Sequence, residues 1–301
     1  RRHWQFINEL MLFDMDDKHL FGIHIYGDSQ PPNFIHASTL YHPDTALRSL
    51  SHDGSGEEPG FKDPHTGTWD LRPHAARIES IDESTLKIWQ SVTDSEDWRS
   101  TPMVSTVNSA AARTISTLAT QQRIGSLELQ FSSGWNETND FEDGRFIKKW
   151  GETSWGDAIL QGPHLYVSTP LYKRPNKTMK HNQDWTSTDL EVLPADALPI
   201  TQYKPAGSRT IYDRLYTHWG DSSARDHYRI AWRRMAKNTN ERTLIPVIIP
   251  PGATHVHTTY STAVHSKDLS LLPLILASAS TLLADFQIRA RSRNDIINQD
   301  F

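Results

Sequence analysis

The sequence predicts a mixed α/β (α+β) fold, in which a strand pair and a loop-rich helical middle lead into a C-terminal domain with a long β-hairpin and a final helix. Two observations support this prediction. Runs of alternating or β-branched apolar residues occur near both ends of the chain, and segments with helical spacing lie between and after them. Hydrophobic residues make up 37% of the 301, which suffices for a packed core.

The first elements are predicted by two apolar runs. Residues 6–13 are apolar-rich, an acidic turn follows at residues 14–17, and residues 20–26 form a strand-like run. Two such runs joined by a tight turn favour a β-hairpin.

The middle of the chain predicts loops and short helices. Residues 51–75 are rich in Gly, Pro, His, Asp and Ser and show no periodicity, which indicates a long loop. A helix is expected to begin near Ser80 or Asp82, because a capping residue there precedes an apolar pattern. Residues 108–122 are rich in Ala, Ser and Thr and predict a second short helix.

The second half carries the clearest local pattern. Residues 126–131 alternate apolar and polar side chains, as a half-buried strand does. Residues 228–235 and 242–249 are two β-rich runs around a connection that contains Asn, so a hairpin is favoured. Pro246 within the second run predicts an edge strand or a bulge, because proline cannot donate to a sheet.

The longest apolar stretch, residues 269–286, is interrupted by Pro273, three serines and Asp285. A membrane span needs about 20 largely uninterrupted apolar residues. We therefore predict a buried helix near residues 268–288.

Several chemistries lack their sequence signatures. The chain has no cysteine, which removes disulfides and thiolate sites and suits a reducing cytoplasm, where we expect the protein to act. Glycine-rich phosphate loops and nucleophile elbows are missing. We expect no metal site, because His255, His257 and His265 have no local carboxylate to complete a ligand set.

The acidic loop 137–143, flanked by Trp135 and Trp150, leaves a second function open. Paired carboxylates and tryptophans are typical of a carbohydrate-binding or glycosidase-like module. Because the acids crowd into one short loop, a solvated turn is the simpler interpretation. A structural scaffold without a ligand is a third hypothesis, since the net charge is −5.

Charge is distributed unevenly along the chain. Residues 1–160 hold 14 Lys or Arg and 24 Asp or Glu, whereas residues 161–301 hold 17 and 12. A polyanion would therefore meet the second half.

Three basic clusters in this half predict contacts with DNA phosphates and base edges. On the first hairpin strand, alternation predicts that one face packs while the other presents guanidinium groups. Arg234 and Arg242 have a structural alternative, in which they pair with Glu241 or with backbone carbonyls. The predicted DNA-binding residues are Lys173, Arg174, Lys177, Arg229, Arg233, Arg234, Arg242, Arg289, Arg291 and Arg293.

These residues also carry a family resemblance. The run Tyr228-Arg-Ile-Ala-Trp-Arg-Arg-Met, then Thr239-Asn-Glu-Arg-Thr-Leu-Ile and Ile249-Pro-Pro-Gly, resembles a hairpin of large restriction-modification adenine methyltransferases, of type IIG, type IIL or PglX-like kind. The segments around residues 6–25, 135–146 and 161–173 and the final Asp285-Phe-x-x-Arg are similar to further family segments in the family's order.

The resemblance implies the target-recognition region of such an enzyme. Residues 1–50 would be a strand pair continuing from an upstream methyltransferase domain, residues 51–125 a connector, and residues 126–301 the recognition domain. The catalytic motif of the family is Asn-Pro-Pro-aromatic. The most similar segment of this chain, Pro31-Pro-Asn-Phe, has these residues in the wrong order, so the motif is expected upstream of Arg1.

The resemblance thus implies no catalysis and no cofactor in this chain, and S-adenosylmethionine for the parent, an N6-adenine methyltransferase that could also carry a nuclease. The implied partners are double-stranded DNA and the upstream domain, and a membrane is not among them.

Overall fold

The computed structural model describes residues 1–235, 240–264, 269–291 and 295–296, and the predicted mixed α/β fold is confirmed. The chain divides into two compact units. The first comprises Arg1–Gln122 with a short segment that begins at Ala290, and the second comprises Arg123–Arg289 with residues near the C-terminus. Each unit is described by itself.

The first unit is built on a four-stranded sheet of order β2-β1-β3-β4, in which β1 is antiparallel to β2 and parallel to β3. Its elements are β1 (Arg2–Ile7), β2 (Leu20–Ile25), β3 (Asn33–Leu40), α1 (Pro43–Ser49), β4 (Glu79–Asp82), α2 (Glu83–Thr93) and α3 (Ser109–Ala119).

An N-terminal hairpin forms as predicted, since β1 and β2 pair without interruption from Arg2 opposite Ile25 to Ile7 opposite Leu20. Its first strand is Arg2–Ile7, however, and not the predicted run 6–13, because the chain turns at Asn8. The connection is longer than the predicted tight turn. Asn8 holds it together: its side-chain amide donates to the Phe13 carbonyl at 3.0 Å and accepts from the Phe13 N–H at 3.1 Å.

Both predicted helices of the middle region are confirmed, and each begins at a side-chain cap. Asp82 accepts from the Thr85 N–H at 2.9 Å to start α2, and Asn108 accepts from the Ala111 N–H at 2.8 Å to start α3. Residues 51–74 have no helix or strand, as predicted for residues 51–75, and a 3-10 turn begins at Ala75. Buried Asp70, which pairs with Arg72 at 2.7 Å, organises this loop from within.

The second unit combines one four-stranded sheet with several short strand pairs. Its elements are β5 (Leu129–Ser132), α4 (Asn139–Glu142), β6 (Phe146–Glu152), β7 (Ile159–Leu160), β8 (Lys173–Pro175), β9 (Trp185–Ser187), β10 (Ile200–Pro205), α5 (Arg209–Leu215), β11 (His218–Trp219), β12 (Ser222–Ser223), β13 (Arg229–Arg233), β14 (Pro246–Ile249), β15 (Thr254–His255), β16 (Thr259–Val264), α6 (Leu271–Ala279) and α7 (Leu282–Ala290). The strand predicted at residues 126–131 begins instead at Leu129, after a 3-10 turn.

The two predicted C-terminal runs pair antiparallel, from Arg229 opposite Ile249 to Trp232 opposite Pro246. The strands β13 and β14 are shorter than the predicted runs 228–235 and 242–249, so the hairpin is not the long one expected. The sheet order is β14-β13-β16-β5, so Pro246 lies on an edge strand, as predicted. Strand β13 is internal and is covered on both faces. Ala231 packs against Leu160 and Leu165 on one side, and Ile230 on the other side packs against α6.

The single helix predicted near residues 268–288 is instead two helices, α6 and α7, bent by 63°. The break follows from local hydrogen bonding, since the Thr281 hydroxyl accepts from the Ala284 N–H at 3.1 Å and so caps the start of α7. Among the described residues, no single helix is long and apolar enough to cross a membrane; only this bent pair together has that length and composition.

Candidate nucleic-acid interface

The basic hairpin, defined as residues 173–187, carries the exposed cations of the second unit that the sequence predicted. Strands β8 and β9 pair from Lys173 opposite Ser187 to Pro175 opposite Trp185. Arg174 and Lys177 are exposed, and half-buried Lys173 holds its ammonium 5.3 Å from the centre of the Tyr172 ring. Within the described part of the chain, none of these three cations is paired with a carboxylate.

A neighbouring strand adds charge that the sequence analysis missed. The Trp150 indole N–H on β6 donates to the Pro175 carbonyl at 2.7 Å, which ties β6 to the basic hairpin. Lys148 and Lys149 precede Trp150 on β6 and are exposed. The signal was present in the sequence as Lys-Lys-Trp, but the adjacent acidic loop concealed it.

The prediction that β13 presents guanidinium groups is wrong for Arg229, because both faces of this internal strand are covered. Arg229 is completely buried. Its guanidinium donates to the Ala253 carbonyl and, at 3.4 Å, to the Tyr216 hydroxyl. Burial lowers the pKa of Arg229, since the low-dielectric interior disfavours its charge. This side chain supports the interior and cannot reach a phosphate in this structure.

Arg233 lies on the same strand and also points inward. Its guanidinium donates to the Leu165 carbonyl and lies 5.9 Å from the centre of the Tyr172 ring. Burial lowers its pKa as well. It therefore does not offer a free guanidinium face to DNA.

Two further predicted arginines converge on one buried carboxylate. Asp285, 4% exposed, pairs with Arg289 at 2.7 Å and with Arg242 at 3.4 Å, and it accepts from the Thr243 and Leu244 N–H groups. Arg242 also donates to the Ser280 carbonyl at 2.9 Å. Arg242 thus bonds a backbone carbonyl, which was the structural alternative predicted for it. Together with Asp285, the two arginines link α7 to residues 240–244, which precede β14.

The remaining predicted residues are divided. Arg234 pairs with Asp295 at 3.0 Å and keeps a third of its side chain exposed. In the first unit, Arg291 is mostly buried and donates to the Val92 carbonyl. Arg293 lies outside the described residues.

Two carboxylates of the acidic loop accept hydrogen bonds from other groups of the protein. Glu137 accepts from the Tyr203 hydroxyl at 2.8 Å and from the Gln161 amide at 2.9 Å, and Asp140 accepts from the Asn136 N–H at 2.6 Å. Trp135 is 3% exposed, so its ring belongs to the core rather than to a sugar-stacking surface.

The histidines considered as metal ligands have structural roles where they are described. Buried His255 bonds the Ser261 hydroxyl at 2.8 Å, and burial lowers its pKa to about 3. His257 accepts from the Glu137 N–H at 3.1 Å, and His265 lies outside the described residues. Pro31-Pro-Asn-Phe leads into β3, where Asn33 lies opposite Asp82 on β4.

The chain matches no protein-family model, and no curated protein is similar to it in sequence.

Proposed function

We propose that this chain binds double-stranded DNA as the target-recognition part of a restriction-modification adenine methyltransferase, in the cytoplasm. The observation that carries the proposal is the basic hairpin, where Lys173, Arg174 and Lys177 have no carboxylate partner among the described residues. Cations of this kind neutralise phosphates and release counterions, which positions a protein on a duplex. Lys148 and Lys149 add two exposed cations on β6, the strand that Trp150 ties to the hairpin.

The proposal assigns catalysis and S-adenosylmethionine to the upstream methyltransferase domain, because this chain lacks the catalytic motif. Strand β2 supports such a partner. It is an outer strand of its sheet, and Ile23 and Ile25 are 47% and 48% exposed. Uncovered apolar edge strands associate with other chains, so proteins cover them. Ile23→Lys should weaken co-purification with the methyltransferase domain.

The experiment measures the affinity for a 30-base-pair duplex over a range of salt concentrations. For the unmodified chain we expect the logarithm of the binding constant to fall steeply with the logarithm of salt, by about 0.9 per phosphate contact. The triple variant Lys173→Ala, Arg174→Ala, Lys177→Ala should weaken binding at low salt and reduce that slope by roughly 2–3.

A matched control removes three exposed cations of the first unit, Arg48, Lys87 and Arg113, by alanine substitution. Equal losses in both triple variants would mean that net charge, rather than the basic hairpin, drives binding. No binding by the unmodified chain at low salt would overturn the proposal.

A further inference from the structure

The tip of the basic hairpin is a loop whose shape is set by one carboxylate. Asp184 accepts from the Asn176 amide at 2.7 Å, from the Thr178 hydroxyl at 3.0 Å and from the Lys180 N–H at 2.9 Å. The Thr186 hydroxyl donates to the side-chain Oδ1 of Asn176 at 2.8 Å, which fixes the other side of the Asn176 amide. Both oxygens of Asp184 are thus engaged within the loop.

Two amide side chains stand outside this network. Asn182 and Gln183 are exposed, and in the part of the chain that the structure describes neither side-chain amide has a hydrogen-bond partner. The backbone beneath them is held, because the Gln183 N–H donates to His181 Nδ1 at 3.2 Å and the Trp185 N–H donates to the Gln183 carbonyl at 2.9 Å. The backbone position of the two side chains is thus fixed, while their amides remain available to a ligand.

The chemistry of this tip differs from that of its flanks. A lysine or arginine attracts any phosphate, whereas an Asn or Gln amide can donate to N7 and accept from the N6 amino group of adenine at the same time. The major groove of B-DNA admits a two-stranded β-ribbon, and β8 with β9 is such a ribbon. Lys177 and Lys180 precede the two amides in the same loop and are exposed, so they can contact phosphates next to the bases.

We propose that the loop at residues 176–184 enters the major groove and that Asn182 and Gln183 are specificity-determining residues that recognise adenine. This inference rests on the proposed function. It separates two roles within one hairpin: the cations supply affinity for any sequence, and the two amides supply discrimination between sequences.

The test selects duplexes from a randomised library with the unmodified chain, with Asn182→Ala/Gln183→Ala, and with a matched control, Gln30→Ala/Gln122→Ala, which removes two exposed amides of the first unit. Affinity for a fixed random duplex is measured in parallel, and thermal melting checks folding. We expect the hairpin variant to keep affinity for random DNA within about twofold and to lose discrimination of roughly tenfold or more at one or two adenine positions. The control should retain the preferred sequence.

A second variant, Asn182→Asp, makes the prediction sharper. A carboxylate accepts from the N4 amino group of cytosine and cannot donate to adenine N7, so the selected base should change from adenine towards cytosine.

The outcomes separate the two proposals. If the hairpin variant selects the same sequences as the unmodified chain, or if the unmodified chain binds DNA without sequence preference, the role of the amides is overturned while DNA binding stands. If the unmodified chain fails to bind any duplex, the proposed function itself fails.

Discussion

Trp150 and Pro175 are joined by a hydrogen bond of 2.7 Å from the indole N–H to the proline carbonyl, across 25 positions of sequence. The bond fixes the basic hairpin to β6, the strand that also carries Lys148 and Lys149. Trp150 itself is 41% exposed, so part of its ring faces solvent.

Trp150→Phe tests this anchor. Phenylalanine keeps the ring but removes the donor, which should lower the free energy of unfolding by about 1 kcal/mol. Because the hairpin is then held less firmly, we expect severalfold weaker binding to duplex DNA. Trp98→Phe is the control, since the indole N–H of Trp98 has no hydrogen-bond partner in the described part of the chain. Unchanged affinity in Trp150→Phe would show that binding does not depend on the anchor.

Arg229→Ala distinguishes an interior arginine from an interface arginine. It removes a fully buried side chain and leaves the Ala253 carbonyl without its donor, so the free energy of unfolding should fall by roughly 2–4 kcal/mol. Arg174→Ala, which removes an exposed side chain of β8, should change the free energy of unfolding by less than about 0.5 kcal/mol while weakening DNA binding. Chemical denaturation measures both. A stable Arg229→Ala protein with reduced DNA affinity would contradict the placement of this arginine.

Acid should destabilise the first unit through a row of histidines across its sheet. His24, His3 and His36 occupy matched positions on β2, β1 and β3, and Nδ1 of His3 lies 2.7 Å from Nδ1 of His36. Burial lowers the pKa of His3 to about 4 and that of His36 to about 3, whereas unfolded histidine titrates near 6.5.

The unfolded state therefore binds protons first, and stability is lost as the pH falls from 6.5 towards 4, by up to about 1.4 kcal/mol per pH unit for each group. His36→Gln should reduce this slope in denaturation experiments at several pH values. Exposed His65→Gln should leave it unchanged, and an equal slope in all three proteins would rule out the histidine row as the cause.

Glu79 continues the same row on β4 and should act in the opposite direction. Burial raises its pKa from 4.5 to about 7, and it accepts a hydrogen bond from the Thr106 hydroxyl. The folded state therefore holds this proton more tightly, and stability is lost as the pH rises from about 4.5 to about 7.

Glu79→Gln stays neutral and can still accept from Thr106. We expect it to be more stable than the unmodified chain at pH 8.5, by about 2–3 kcal/mol, and equally stable near pH 4.5. Thermal melting at the two pH values checks this. A variant that is less stable at both would mean that Glu79 is ionised in the folded state.

Local patterns determined much of the fold. Both hairpins, the capped starts of α2 and α3, the loop at residues 51–74 and the edge position of Pro246 follow from alternation, capping residues and the missing proline N–H, all of which act between residues close in sequence. Arg174 and Lys177 are exposed, as we predicted from a sequence cluster that contains no acidic residue. DNA recognition stays a proposal, and so do the residues that would discriminate between bases.

Only the tertiary structure decided which arginines face solvent. Alternation along residues 228–235 separates two faces but does not say whether one of them is exposed. Strand β13 became internal because β16 pairs on its second edge and because Leu160 and α6 cover its two faces, so Arg229 and Arg233 are enclosed. Asp285 likewise gathers Arg242 and Arg289 from segments more than 40 residues apart. Burial and ion pairing of this kind depend on the packing of distant segments, which local sequence patterns do not encode.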